Sequence, residues 1–439
     1  MKTSRRGLLK LSAQTLIGAS LGGLILPESA EADTKPPRFS GDIPVLQLMT
    51  NSTSAQFVVL TDGHRPYSYR VVDSKGNRLP VEQWDHAHHK GSIWELDKLS
   101  VEGLRDGEWY LLQIITKYDG LVADERYFRN LPLQSEKRAR FALVSCAYDS
   151  YAGPSKHMWD CVGNARPEMI FFVGDTSYAE MGTFFGMKNL WDRYVESRQR
   201  LYLYRQPILV PTFAIWDDHD FGLNNGDRHF KHKGTTLSIF QKFWGSKEVS
   251  GYKKTFGVGF CLTGFGQKFC FMDNRSFRDT CFSSGYHWGR EPQDCLLEEL
   301  ENSSNPAWIL SGSQFFGCYK NEESFMRDHA KNFVDFCRKL SRLEAPIALG
   351  SGDVHFSEIM RIEPRVLGYQ THEFTSSSIH SFTSPLKVRF QNSRRQAFTW
   401  RHNFLIIESQ RIANGLAIST ESFGSKLESL FKHRAKIVR

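Results

Sequence analysis

The chain has 439 residues, of which 40% are hydrophobic and 24% are charged, and its formal net charge is +8. A chain of this length leaves room for two hydrophobic cores. The basic residues are scattered and show no aromatic-basic repeat, so we expect no stable nucleic-acid binding. A modest positive field is better suited to attracting small anionic substrates.

The N-terminal segment has the features of a targeting signal. A basic stretch at Met1–Lys10 precedes a mildly apolar centre at Leu11–Leu26, and Ala30-Glu31-Ala32 offers a small-x-small cleavage site. These features predict a signal peptide over residues 1–32 rather than a membrane-spanning helix. Its paired arginines resemble a twin-arginine signal, which is an address read by a receptor and not an anchor. We therefore expect a periplasmic or secreted protein that uses the twin-arginine translocase during export and has no membrane anchor.

Residues 33–135 are expected to form a small all-β module. Short alternating strands are separated there by turn residues such as Asp62-Gly63 and Asp119-Gly120, a pattern that is typical of a β-sandwich. The predicted strands are Ala55–Leu60, Tyr67–Asp73, Ser92–Leu96, Trp109–Thr116 and Glu125–Asn130. The segment Val101–Tyr110 resembles the turn and tyrosine strand of fibronectin type III-like modules. The sequence of this region contains no cluster of catalytic side chains, so we expect it to serve in packing or docking.

In residues 136–439 predicted strands alternate with helical patterns, as is typical of an α/β domain. Helical spacing of apolar residues predicts helices at Met187–Tyr204, Gly234–Trp244, Pro292–Leu300 and Glu323–Leu343. The eight cysteines include no Cys-x-x-Cys pair, which argues against a zinc ribbon. Cys261 and Cys270 could face each other across a hairpin, and Cys281 and Cys295 could also pair.

Four short apolar runs each end in residues that can bind metals. The runs are Arg140–Val144, Met169–Val173, one that begins near Pro207, and Pro346–Leu349, and they lead into Ser145-Cys146, Gly174–Tyr178, Asp217–Asp220 and Gly350–His355. The loops at the carboxyl ends of parallel strands converge on one edge of an α/β sheet, where ligands bind. Crowded carboxylates raise one another's pKa unless a cation lies among them. The pattern therefore predicts a polynuclear metal site.

The donor types indicate a transition metal beside a hard cation. A Tyr178 phenolate suits ferric iron, Cys146 adds a soft thiolate, and His355 adds an imidazole nitrogen to the hard oxygens of the aspartates. Considered alone, Cys146 is explained as an inert buried thiol, and Tyr178 is explained as a core aromatic residue. Their joint occurrence at strand ends favours a ligand set.

These motifs together resemble those of the PhoD-like alkaline phosphatases, which belong to the calcineurin-like metallophosphoesterases. The resemblance rests on Ser145-Cys146, Gly174–Tyr178, Trp216–Asp220 with Asn224-Asn225, Met272–Arg278 and Ser351–His355, and it extends from Arg140 to about Glu408. It implies an α/β fold with a two-sheet metallophosphoesterase sandwich flanked by helices, preceded by a small all-β (fibronectin III/Ig-like) module. It also implies Fe3+ and Ca2+ as cofactors.

The resemblance implies roles for individual residues. The implied metal ligands are Cys146, Asp175, Tyr178, Asp218, Asn225, Asp353 and His355. Asp175 would bridge the two ions. His219, oriented by Asp220, would lie near the leaving group, and Arg275 would contact the phosphate. Asp220 stands where glutamate is common in the family.

The expected reaction is hydrolysis of phosphate mono- or diesters by metal-bound hydroxide. Two ions about 3.5–4 Å apart can hold a hydroxide and clamp the phosphoryl oxygens. No serine or threonine in the motifs is suitably placed as a covalent nucleophile, so we expect direct attack with inversion at phosphorus. His219 would protonate or support the departing alkoxide. Two alternatives stay open: a non-catalytic surface-binding protein stabilised by metals, and a hydrolase of another anionic ester such as a sulfate. A monomer is expected.

Overall fold

The computed structural model of the chain describes residues 39–149, 155–179 and 187–439. The predicted signal peptide, residues 1–32, lies outside the described residues. Residues Phe39–Arg439 form one compact unit. Within this unit, the boundary expected between a module at 33–135 and a domain at 136–439 stays a prediction.

Two four-stranded antiparallel sheets form the N-terminal module. Its strands are β1 Val45–Thr50, β2 Ser54–Asp62, β3 Tyr67–Asp73, β4 Arg78–Leu79, β5 Val81–His88, β6 Trp94–Glu102, β7 Trp109–Thr116 and β8 Val122–Arg129. One sheet has the order β1-β2-β6-β5 and the other has the order β4-β3-β7-β8. Phe57, Leu99 and Phe128 belong to the core that the two sheets share, because alternate residues of each strand face inward. The expected all-β module is therefore confirmed as an architecture.

Two larger sheets form the rest of the fold. Their strands are β9 Arg138–Val144, β10 Met169–Val173, β11 Thr212–Ile215, β12 Tyr252–Lys254, β13 Phe260–Gly264, β14 Gln267–Phe271, β15 Ala307–Leu310, β16 Ile347–Ser351, β17 Ser357–Ile362, β18 Thr371–Thr375, β19 Arg395–Thr399, β20 Phe404–Ile412, β21 Gly415–Phe423 and β22 Ser429–Val438. The six-stranded sheet has the order β11-β10-β9-β20-β21-β22, and the eight-stranded sheet has the order β12-β13-β14-β15-β16-β18-β17-β19. Strands β9, β10 and β11 run parallel, as do β14, β15, β16 and β18.

The main core lies between these two sheets. Phe141 and Phe171 come from the six-stranded sheet, whereas Phe269 and Trp308 come from the eight-stranded sheet, and all four belong to one buried cluster. The Phe141 and Trp308 rings meet edge to face with centroids 5.4 Å apart, and Phe171 meets Phe269 at 5.3 Å. Alternate residues of β9 and β10, such as Ala142 and Phe172, are buried on the outer face of the six-stranded sheet. Burial on both faces explains why these strands are continuous apolar runs in the sequence.

Helices flank both sheets, as the predicted fold class requires. They are α1 Ser155–Asn164, α2 Met187–Arg200, α3 Asp218–Phe221, α4 Lys233–Trp244, α5 Arg290–Glu301, α6 Phe325–Asp328, α7 Ala330–Leu340 and α8 Pro364–Leu367, with short 3-10 turns at Tyr202–Arg205 and Pro385–Arg389. Apolar residues of α1, α2 and α4 pack in the cluster with the outer face of the six-stranded sheet, and those of α5 and α7 pack in the cluster with the eight-stranded sheet. Among the described residues, no helix is both long enough and apolar enough to cross a bilayer.

The two suggested cysteine pairs have different outcomes. Cys261 and Cys270 are directly opposed in the β13–β14 hairpin, and their Sγ atoms are 2.9 Å apart. Both are free thiols in this structure, as are the other six cysteines. Cys281 and Cys295 are not paired with each other, and the Cys281 thiol instead contacts Nη2 of Arg278 at 3.0 Å.

A buried lysine ties the N-terminal module to the helical layer. Lys98, on β6, is 3% exposed, and its Nζ donates to the carbonyl oxygens of Gln241 at 2.8 Å and Gly245 at 2.9 Å. These carbonyls lie at the end of α4, where the helix dipole favours a cation. Burial lowers the pKa of Lys98 to about 8. Lys98 therefore holds one end of α4 against the module.

We expect the Lys98→Met variant to unfold at lower urea concentration than the wild type. Loss of the donor to two carbonyl groups at the end of α4 should cost about 1–3 kcal/mol of unfolding free energy. The measurement is urea denaturation followed by circular dichroism. Lys90→Met, which changes an exposed lysine, serves as the control and should leave the midpoint unchanged. Equal midpoints for all three proteins would contradict this role of Lys98.

Candidate metal centre

Loops from both large sheets meet at one edge of the sandwich. Cys146 follows β9, Asp175 follows β10, and Asp353 follows β16. The Ala147 amide donates to the Asp175 carbonyl at 2.9 Å, which ties the first two loops together. The Ile379 amide, in the loop after β18, donates to the Ser145 carbonyl at 3.0 Å. This bond joins a loop of the eight-stranded sheet to a loop of the six-stranded sheet.

Candidate ligand atoms lie together at this edge. In the described part of the chain, three groups there offer ligand atoms that lie within 4.8 Å of one another: Cys146, Asp175 and His355; Asp175, Asp218 and His219; and Asp217, Asp218 and Asp353. Asp175 is shared by the first two groups, and Asp218 is shared by the last two. The groups therefore form one continuous centre.

A fourth group of this kind already contains a cation from the protein. Cys281, Glu323 and Asp328 lie within the same distance limit. The Arg278 Nη2 atom lies 2.8 Å from Glu323 Oε1 and 3.0 Å from Asp328 Oδ2. A guanidinium therefore occupies the position that a metal ion would need.

The Asp175 carboxylate fits a bound cation. Asp175 is 1% exposed, and neither oxygen of its carboxylate has a hydrogen-bond partner among the described residues. Burial raises the pKa of Asp175 well above its usual range, and the neighbouring carboxylates of Asp218 and Asp217 add to the rise. Because an unpaired buried carboxylate is costly, this geometry requires either a proton or a cation, and the adjacent thiol and imidazole donors suit a metal ion.

Asp217 and Asp218 are balanced by a buried arginine. Arg275 is fully buried, its Nε donates to Asp217, and its Nη2 lies 3.9 Å from Asp218 Oδ1. Burial alone would raise the pKa of Asp218, but Arg275 and His219 outweigh burial and lower it.

Gly174 lies so close to Asp217 that a Cβ there would be 2.4 Å from the Asp217 Cβ.

Arg275 makes further hydrogen bonds within the protein. Besides Asp217, it donates from Nη2 to Glu323 at 2.6 Å and from Nη1 to the Gly226 carbonyl at 3.4 Å. The implied contact between Arg275 and the phosphate stays a prediction. In this structure its role is to brace the aspartates.

The thiol, imidazole and phenol lie on the other side of Asp175. Cys146 Sγ lies 3.0 Å from Ser377 Oγ, and burial together with the Asp175 charge raises its pKa well above the usual value. Burial lowers the pKa of His355 to about 3, so its imidazole is neutral at pH 7 and able to bind a metal. The Tyr178 hydroxyl donates to Ser381 Oγ at 2.7 Å. Burial, followed by the nearby Cys146 and Asp175, raises the Tyr178 pKa.

The Asp220 carboxylate connects the loop after β10, which contains Asp175, to the loop after β11, which contains Asp217. It accepts hydrogen bonds from the Thr176 amide at 3.0 Å, the Thr176 hydroxyl at 2.6 Å and the Ser177 amide at 2.8 Å. It also accepts from the Asp217 amide at 3.2 Å, which completes the capping box of α3. Asp220 therefore fixes the loop of Asp175 relative to α3. The expected orientation of His219 by Asp220 stays a prediction.

Two further candidate residues have distinct placements. The Asn225 backbone amide donates to Asp218 Oδ2 at 2.8 Å, and Asn225 is exposed; its expected role as a side-chain ligand stays a prediction. His219 is half-buried, and its ring stacks on Tyr178 with centroids 4.1 Å apart.

Backbone conformation also distinguishes the centre. Cys146, Asp175, Asn225, Asp353 and His355 have φ between 54° and 69°, and they are five of the eleven described non-glycine residues with positive φ. This conformation costs about 1–2 kcal/mol for each such residue. Such strain concentrates at functional sites, where the surrounding structure holds it in place.

Sequence reasoning missed several residues that shape the centre. Asp217 stands in the acidic cluster but was not expected as a ligand, although it lies in one of the candidate groups. Ser377 contacts both Cys146 and the His355 amide, and Ser381 contacts Tyr178. The sequence did contain a pattern that could have indicated Ser377. The three serines Ser376-Ser377-Ser378 directly follow β18, which runs parallel to β16.

Comparison with known proteins identifies the fold. Neither a family model nor a curated protein matches the sequence. The solved structure of PhoD aligns with a TM-score of 0.67 and 14% identity, covering 91% of this chain and 94% of that chain. An amylomaltase from Corynebacterium glutamicum aligns over 32% of this chain and 22% of that chain at 11% identity, with a TM-score of 0.17 that is too low to indicate a shared fold. The chain therefore has a PhoD-like fold, as the motif resemblance predicts.

Proposed function

We propose that the protein is an exported, metal-dependent phosphoesterase that hydrolyses phosphate mono- or diesters. The observation that carries the proposal is the Asp175 carboxylate. It is buried, has no hydrogen-bond partner in the described part of the chain, and is shared by two candidate ligand groups. The PhoD-like fold and the strand-end motifs support the reaction class. The N-terminal arginine pair supports export through the twin-arginine translocase to the periplasm or outside the cell.

We assign the metals by donor chemistry. Cys146, Tyr178, His355 and Asp175 would hold Fe3+, because thiolate and phenolate donate charge to a ferric ion. Asp175, Asp218 and Asp353 would hold Ca2+, which prefers oxygen ligands. When bound, two such cations neutralise phosphoryl oxygens and lower the pKa of a water molecule.

The protein side chains would position and complete the reaction. His219 is half-buried beside Asp175 and Asp218, so its imidazole can hold a proton for the oxygen of the departing alcohol. Asp220 keeps the loop of Asp175 against α3, and Arg275 offsets the charge of Asp217 and Asp218. These contacts hold the aspartates in place before substrate arrives, which reduces reorganisation during the reaction.

The activity test uses the purified protein before and after chelation. We expect hydrolysis of p-nitrophenyl phosphate, bis-p-nitrophenyl phosphate or both, loss of activity after metal removal, and recovery when Fe3+ and Ca2+ are restored. Removal of the cations leaves buried carboxylates unbalanced, so substrate anions would be repelled. Turnover of p-nitrophenyl sulfate alone would contradict the phosphoesterase proposal. Inactivity of the metal-replete protein on all three esters would contradict it as well.

His219→Ala should keep its metals and lose about 10²–10⁴-fold in turnover, the usual contribution of general acid–base catalysis. The loss should be greatest with esters of poorly leaving alcohols, since these need the proton most. The measurements are elemental analysis and kcat for alkyl and aryl phosphates. His157→Ala changes an exposed histidine on α1 and serves as the control. Wild-type turnover of the alkyl ester by His219→Ala would remove His219 from the mechanism.

Tyr178→Phe should change or abolish a visible absorption band of the purified protein. Charge donation from phenolate to ferric iron absorbs visible light, whereas Zn2+ and Ca2+ give no such band. The measurement is an absorption spectrum with iron quantified by elemental analysis. Tyr148→Phe removes the hydroxyl of the ring whose centroid lies 4.7 Å from that of Tyr178 and should keep the band. A colourless, fully active protein without iron would contradict the ferric assignment.

A further inference from the structure

We propose a second metal site, for a divalent transition ion of which Zn2+ is the probe, on the N-terminal module. Its ligands are His86 and His88 on β5 and Glu95 on β6. The site is separate from the centre that contains Asp175, and the proposal does not depend on the phosphoesterase function.

Strand register places these side chains on one face. His86 is directly opposed to Asp97, and His88 is directly opposed to Glu95, in the antiparallel β5–β6 pair. Directly opposed residues, and residues two apart on one strand, share a face of the sheet. The intervening Ala87 and Leu96 are buried on the opposite face. Two imidazoles and two carboxylates therefore lie together at this end of the module.

A buried carboxylate fixes the His86 ring. His86 Nδ1 lies 2.7 Å from Asp97 Oδ1, and the Asp97 side chain is only 8% exposed. Asp97 is itself held, because it accepts from Gln83 Nε2 at 2.6 Å and from the Tyr69 hydroxyl. A carboxylate on one ring nitrogen keeps the proton there and leaves the other nitrogen as the metal donor. Asp97 thus orients His86 with Nε2 available for coordination.

The second nitrogen of the His86 ring lies near another candidate metal ligand, the Glu95 carboxylate. Nε2 lies 3.5 Å from Glu95 Oε2. Two ligand atoms on a tetrahedral zinc ion with bonds of about 2.0–2.1 Å are separated by about 3.3 Å. The observed spacing is therefore close to that of two atoms sharing one ion. Nitrogen with carboxylate oxygen suits Zn2+, Cu2+ or Ni2+ better than Mg2+ or Ca2+.

His88 supplies the third ligand after a side-chain rotation. Its ring centroid lies 6.0 Å from that of His86, and the side chain is exposed, so a change of rotamer meets little resistance. Water would complete the coordination. Because β5 is the edge strand of its sheet, an ion on these residues would link the edge to β6. Binding to the folded state alone would raise stability.

The test is Zn2+ uptake by the purified holoenzyme in equilibrium dialysis, compared with that of His86→Gln. We expect the wild type to bind one Zn2+ more than the variant. Zn2+ should raise the urea midpoint of the wild type and not that of the variant. His88→Gln should lower the affinity for this additional Zn2+ ion by about 10-fold or more. His157→Gln, an exposed histidine on α1, is the matched control and should bind as the wild type does.

Asp97→Asn tests the positioning of the ring, because the amide can donate to Nδ1 and place the proton on Nε2. Asp97→Asn should weaken the binding of Zn2+ about 10–100-fold, the usual effect of losing a carboxylate that orients a histidine ligand, although Asp97 is not itself a ligand. Equal Zn2+ stoichiometry and affinity in the wild type and His86→Gln would overturn the site. That result would leave His86 as an ion-pair partner of Glu95 and Asp97 only.

Discussion

The burial of like charge is the constraint on which the centre depends. Asp175, Asp217, Asp218 and Asp353 lie close together, yet the protein neutralises them unequally. The Arg275 guanidinium is paired with Asp217 and lies near Asp218. Burial and the neighbouring aspartates raise the pKa of Asp353, as they do that of Asp175. One half of the centre is therefore balanced within the chain. The other half, beside the thiol and the imidazole, is balanced either by a proton or by a bound cation.

The two-sheet core supplies the rigidity that this charge arrangement needs. Seven parallel strands from the two sheets end at one edge, and aromatic residues between the sheets fix their separation. Close packing transmits small displacements rather than absorbing them. The strained backbone at Cys146, Asp175 and Asp353 persists because both sheets constrain it. A loop on a softer scaffold would relax to ordinary φ values and separate the ligands.

Local pattern explains what the sequence could predict. The runs that became β9, β10 and β16 are continuous and apolar because both faces are buried, so their ends were recognisable. Strand β5 was not, because it is an edge strand with polar residues and its periodicity carries little apolar signal. The helix expected over Glu323–Leu343 divides at His329, where φ is −137° and Nε2 lies 3.0 Å from the Asp279 carbonyl. A tertiary contact there replaces the continuous helix that local spacing favours.

Contacts between distant segments decide the rest of the centre, and they link metal binding to the packing of the sheets. Asn274, after β14, donates to Asp217 Oδ1 at 2.8 Å, and Trp216 donates to Asp273 Oδ1 at 2.7 Å. Each bond joins a loop of the eight-stranded sheet to a loop of the six-stranded sheet across 57 residues of sequence. No spacing rule in one segment reveals such a partner. Since Asp217 and Asp218 are adjacent, an ion held by Asp218 would act on the same junction, and its binding free energy would contribute to the docking of the two sheets.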